Sequence, residues 1–173
     1  MTGQINVNKI AARTGNTITI NSGDKISGAA GSIVAPGQVL QVQYTQYTGT
    51  FSQSVSADTD TVIGASALSV NITPKSTSSI IKLETHIFHE LGAVADYANH
   101  VWFFYRDSTK LAIAQAGSRL CGISVSALGY HDDVGSTPEI AQYTYFDAPN
   151  TTSQITYKIG YRPRYTRTIY VNR

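Results

Sequence analysis

The chain has little of what most folded proteins use. Only 14% of its 173 residues are charged, against about 25% in an ordinary soluble domain. It holds one Cys, one Met and one Trp. A single Cys121 excludes an internal disulfide framework, so stability has to come from packing or association. No apolar run approaches the roughly 18 residues of a membrane-spanning helix. No basic stretch leads from Met1 into an apolar one, so no signal peptide is expected, and the expected chain is soluble and made inside a cell. A net charge of +2 is too small to argue for nucleic acid as a partner. Polarity comes instead from hydroxyls and amides: 20 Thr, 17 Ser, 9 Gln and 8 Asn. A hydrophobic share of 42% is too high for a disordered, highly charged polymer. The length suits one core, or a core with a short extension.

Thr, Val, Ile and Tyr favour the pleated, half-buried surface of a sheet, and the strong helix formers are scarce. Gly, Asn, Asp and Ser recur every eight to twelve residues, the spacing of short strands in a sandwich or barrel. The chain is expected to be all-β.

Residues 1–35 stand apart. Isolated Ile18, Ile20, Ile26 and Ile33 sit among Asn, Ser, Gly and Asp. Strands so short and poor in apolar groups cannot alone offset chain entropy. Three copies wound about one axis can, because each Ile then meets its symmetry mates, so an arm or stalk is expected here, with a loose N-terminal tail as the alternative. Val7, Ile10, Ile18, Ile20 and Ile26 are its candidate subunit contacts. Ala35-Pro36-Gly37 marks the junction with a second domain over 36–173.

Beyond it, alternation is clear. Leu40, Val42 and Tyr44 share one face, with Gln41, Gln43 and Thr45 on the other. Leu68, Val70 and Ile72 alternate with Ser69, Asn71 and Thr73 before Pro74. Ile81, Leu83 and Ile87 oppose Lys82, Glu84 and His86, and Ile155, Tyr157, Ile159 and Tyr161 oppose Gln154, Thr156, Lys158 and Arg162. These predict half-buried antiparallel strands. Val101–Tyr105 is apolar on both faces, as a central strand or a subunit contact would be. Arg106–Thr109 predicts a hairpin turn into Lys110–Ala114, and Asp147–Thr152 a second such connection. Eight to nine strands after residue 37 suit a two-sheet, jelly-roll-like sandwich.

Residues 36–48, opening Pro-Gly-Gln-Val-Leu-Gln-Val, lead to Ser-Val-Asn-Ile-Thr-Pro-Lys-Ser-Thr-Ser-Ser at 69–79. Tyr-Arg-Asp-Ser-Thr follows at 105–109, then Ala-Pro-Asn-Thr-Thr-Ser at 148–153 with Thr156-Tyr157-Lys158, and Tyr-Val-Asn-Arg closes the chain. This series resembles the C-terminal β-modules of tailed-phage fibres and other virion surface proteins, especially those of phages of aquatic bacteria and cyanobacteria. Ile5–Ile10 and Thr17–Ile20 look like the attachment and stalk starts of such fibres. The resemblance implies a homotrimer mounted on capsid or tail proteins, assembled in the host cytoplasm and located in the virion. The shaft is nearly missing here, which favours a short fibre or seated spike over a long whip. A capsid decoration protein that clamps neighbouring head subunits is the alternative, and a glycan-depolymerising spike a minor one.

Chemistry is thinly written. His89-Glu90-Leu91-Gly92-Ala93 begins like a zinc-protease motif, but Ala93 stands where the second His must be, and a strand would send His86 and His89 to opposite faces. Cys121 with His131 lacks a catalytic turn between them. Asp58 with Asp60, and Asp132 with Asp133, read as loop formers rather than a glycosidase pair. Gly28–Gly31 lacks the context of a phosphate loop. No catalytic residue, metal or cofactor is therefore expected, no membrane partner is implied, and the chain reads as non-enzymatic. Arg162, Arg164, Arg167 and Arg173, interleaved with Tyr161, Tyr165 and Tyr170, form the only local charge bias. Arg162, Arg164 and Arg167, with Tyr97 and Tyr130 in the long loops, are the candidate contacts to a host-surface glycan or an acidic capsid face. Trp102, mid-strand between apolar neighbours, reads as packing.

Overall fold

A computed structural model describes residues 10, 19–28, 35, 37–92, 99–126 and 138–173. The chain divides into two units, Met1–Gln41 and Val42–Arg173. In the first, the described residues form no strand. They turn at Asn21–Asp24, where Gly23 takes a positive φ and the Asp24 amide donates to the Asn21 carbonyl (3.1 Å), and again at Ala35–Gln38 around Gly37.

The second unit is nearly all β, as the composition predicts. Its strands are β1 (Phe51–Val55), β2 (Thr61–Ile63), β3 (Ser69–Ile72), β4 (Ile81–Leu91), β5 (His100–Arg106), β6 (Thr109–Leu111), β7 (Glu139–Asp147), β8 (Ile155–Pro163) and β9 (Arg167–Val171). One 3-10 turn over Ala65–Leu68 precedes β3, and the described residues contain no α-helix. No helix is long and apolar enough to cross a membrane among those residues. Two antiparallel sheets form, one in the order β1-β9-β4-β7, the other β2-β8-β5-β6 with β3 also paired to β8.

The predicted alternations account for β3, β4 and β8. On β4, Leu83 and Ile87 point inward while Lys82, Glu84, His86 and Phe88 point out. On β8, Ile155, Tyr157, Ile159 and Tyr161 are all buried. Facing sides of the two sheets supply one core: Val55, Leu83, Ile87, Ala141, Tyr143 and Ile169 meet Ile63, Trp102, Phe104, Ile159 and Tyr161. Trp102 packs on Tyr161 with ring centroids 4.6 Å apart, the spacing at which aromatic pairs add attraction beyond their burial.

β5 is apolar on both faces for separate reasons. Trp102 and Phe104 enter the core, whereas Phe103 points to the other side of its sheet, where Gly160 lies opposite in register. A Cβ at Gly160 would clash with Cε2 and Cδ2 of the Phe103 ring, so the ring keeps this position only over glycine. Lys110 covers the ring, its Nζ 4.1 Å from the centroid. Gly160→Ala is expected to destabilise the sandwich by about 2 kcal/mol, because the packed ring has to move. Urea unfolding of this variant alone and combined with Phe103→Leu checks it: the smaller side chain should recover part of the loss.

Two expectations are corrected. Leu40–Thr45 alternates like a strand but joins neither sheet. Alternation states that one face prefers burial, and this single chain offers that face no ladder partner. The Asp147–Thr152 segment joins β7 to β8, which lie in different sheets, so it crosses the sandwich edge rather than closing a hairpin. The predicted Arg106–Thr109 hairpin does form, with Asp107 at φ 53.

Candidate functional site

The arm contacts fall on both sides of what is described. Val7 and Ile18 lie outside the described residues. Ile10, Ile20 and Ile26 are 71%, 45% and 64% exposed. Val39 is equally open.

In the second unit, the segment from Val42 to Thr48 runs without a ladder, yet it is tied in place. The Asn172 side-chain amide donates to the carbonyls of Tyr47 (3.0 Å) and Gly49 (2.9 Å), and the Thr45 hydroxyl donates to the Ser69 carbonyl (2.6 Å). Val42 and Tyr44 are nevertheless 72% and 83% exposed. Apolar side chains held open on an anchored segment differ from scattered surface hydrophobics, which need no explanation. The outer face of the first sheet adds Phe88, Ile140 and Phe146, with Phe88 directly opposite Ile140 across β4 and β7.

The arginines separate into three situations. Arg164 Nη1 sits 3.2 Å from both carboxylate oxygens of Asp58. Arg162 lies 3.6 Å from Asp60 and 3.9 Å from Asp58, and Lys110 bonds Asp60 at 3.0 Å. The paired loop carboxylates thus neutralise much of the basic run. Arg167 is 3% exposed, so the expectation of an outward contact is corrected. It shares the inward face of β9 with Ile169 and Val171, and its charge acts on Glu139 and Tyr161 inside the sandwich. Tyr97 and Tyr130 lie outside the described residues.

Sequence reasoning missed a buried polar cluster on the inward faces of β4, β5 and β7. His89 Nε2 and the Ser126 hydroxyl are 2.7 Å apart, and the Trp102 indole N–H donates to the same oxygen at 2.9 Å. The Ser126 amide donates to His100 Nε2 at 3.2 Å. Burial, together with the neighbouring His100, depresses His89 to a pKa of about 3. Glu139 pairs with His89 across the ladder, and its burial raises it to about 7 against the opposing pull of Arg167. A serine hydroxyl on a neutral imidazole is the start of a nucleophile pair. Here Ser126 is 3% exposed and His89 fully buried, which places the pair within the core. The one sequence signal was His89 falling on the apolar side of the β4 alternation, opposite His86.

The metal motif does not assemble either. His86 is outward and His89 inward, Ala93 lies outside the described residues, and no group of three or more His, Cys, Asp or Glu gathers among those that are described. Cys121 is half-buried, its thiol donating to the Ile113 carbonyl, and His131, Asp132 and Asp133 lie outside the described residues. What the geometry does supply is exposed apolar surface on anchored backbone. In comparisons with known proteins, the chain matches no family model, no curated protein and no solved structure.

Proposed function

We propose that this chain is a non-enzymatic structural protein of a tailed-phage virion: a homotrimeric short fibre or spike that displays a β-sandwich toward the host. The first residues, 1–35, attach and trimerise it, and the sandwich over 36–173 is its outward module. The observation that carries this reading is the anchored, unpaired segment with Val42 and Tyr44 open to solvent. Each such side chain gains about 1.5–3 kcal/mol when buried. Around a threefold axis the gain is repeated in every copy, which offsets the entropy of association. The exposed Ile10, Ile20 and Ile26 support the same reading for the arm. The order β1-β9-β4-β7 against β2-β8-β5-β6, with the chain crossing repeatedly between sheets, supports a jelly-roll topology. The series of motifs that resembles phage fibre modules supports the virion location.

Size-exclusion chromatography with light scattering tests the association. The full chain is expected at three times its 18.7 kDa mass. Val42→Asp with Tyr44→Asp, and separately a chain lacking residues 1–35, are expected to shift the equilibrium toward monomer. A full chain that runs as a monomer at tens of micromolar overturns the proposal. Copy number in particles separates the mounts: hundreds per virion indicate a head decoration protein, tens or fewer a tail fibre.

A further inference from the structure

A cleft opens beside the start of β5, where Asn99 leads into the strand, the Ser118–Leu120 turn rises after β6, and Arg164 follows β8. Its volume is about 420 Å³, within the range of small-ligand sites. Two arginines, Arg119 and Arg164, line it, and no Asp or Glu does. Val101, Leu120 and Val125 give it an apolar wall.

Both arginines stand on fixed backbone. The Arg164 amide donates to the Asn99 carbonyl at 2.8 Å. The turn that bears Arg119 closes through its amide on the Ala116 carbonyl (3.2 Å), and the Gln115 side chain donates to the carbonyls of Gly117 and Arg119. Gly117 takes φ +56, a conformation that side chains disfavour, which lets the turn reverse so tightly. Arg164 spends Nη1 on Asp58, which leaves further N–H donors of its fork for a ligand. Arg119 has no carboxylate within ion-pair distance among the described residues.

We infer that this cleft binds a carboxylated sugar unit of a surface glycan. A guanidinium fork matches the planar carboxylate in two parallel hydrogen bonds. Ser118 adds a hydroxyl to the lining, and Val125 and Leu120 offer an apolar wall to the C–H face of a pyranose. One guanidinium unpaired among the described residues, Arg119, beside the Asp58-paired Arg164 in a partly apolar cleft suits a single acidic sugar better than a polyanionic backbone, which demands an extended basic track. The inference rests on the reading of the sandwich as the host-facing module.

Isothermal titration calorimetry on the full-length protein tests it, with trigalacturonate, a sulfated disaccharide and neutral maltotriose as probes. Trigalacturonate is expected to bind in the millimolar range or tighter, more weakly as salt rises, with no binding of maltotriose. Arg119→Gln should weaken it about tenfold or more. Arg119→Lys should weaken it too, because the charge survives but the fork does not. Both variants should melt with the wild type, since Arg119 is exposed. Equal binding of maltotriose, undiminished binding by Arg119→Gln, or no trigalacturonate binding overturns the inference. Tighter binding of the sulfated probe overturns the carboxylate assignment. A chain that is monomeric by light scattering but binds trigalacturonate through Arg119 upholds the cleft while the trimeric virion reading fails.

Discussion

Asp147→Ala is expected to destabilise the sandwich by about 3 kcal/mol, the scale of breaking a buried ion pair by removing one partner. Asp147 ends β7 in one sheet and is one of the points where the other sheet is fastened to it. Arg106, at the end of β5, places Nη1 2.9 and 3.1 Å from its two oxygens, and the Tyr157 hydroxyl of β8 donates to Oδ2 at 2.7 Å. Tyr157 is buried, so truncation leaves its hydroxyl without an acceptor away from water. Arg106 is better placed to recover, because its side chain is about a quarter exposed and can turn outward. Asp147→Asn keeps an oxygen for Tyr157 and loses only the charge, and it should cost about 1 kcal/mol. Chemical denaturation of both variants checks the order. Equal losses would show that the carboxylate charge, rather than the acceptor, carries the contact.

Acid should unfold the protein steeply through His89. Its imidazole is depressed to about 3 in the folded chain, against 6.5 for the free group. Between those values the unfolded chain takes up a proton that the native chain refuses. Stability from this group is therefore fully present above pH 6.5 and is lost as the pH falls, by about 1.4 kcal/mol per unit. Glu139 works in the opposite sense. Raised from 4.5 to about 7, it holds a proton in the native state that the unfolded chain has released. Its contribution is present below 4.5 and is lost as the pH rises through 7. The two partly cancel between about 4.5 and 6.5. His100, Ser126 and Trp102 surround His89, and Arg167 acts on Glu139, so a protonated His89 is a buried cation facing His100. Unfolding free energies from pH 3 to 8 check this. His89→Gln should lose the acid-side slope, and Glu139→Gln should let stability climb without interruption from pH 3 to 6.5. An unchanged acid slope in His89→Gln would assign acid unfolding to other groups.

Much of the fold could be read before any coordinates. The inward rows of β3, β4 and β8 follow directly from Val70–Ile72, Leu83–Ile87 and Ile155–Tyr161, because two-residue periodicity on a half-buried strand marks its inner face. β7 was less legible. Phe146 and Ile140 point outward while Ala141 and Tyr143 point inward, so both faces read as apolar. The cleft is half legible in the sequence: Arg164 belongs to a basic run, but Arg119 stands alone in a polar stretch and meets it only through the folded backbone.

Composition and alternation by themselves determined that this chain is β-structured, held without disulfides, and built around inward aromatic and β-branched residues, because those are local properties of an extended backbone. Which strands meet was decided only by the tertiary structure. The same alternation makes a core strand of Ile81–Leu91 and leaves Val42 and Tyr44 in solvent, since a strand's inner face is buried only where a neighbour stands opposite. Arg167 was likewise placed by its surroundings: set on the inward row of β9, it faces Glu139 and Tyr161, and a charge survives burial only where such company is close enough to replace water.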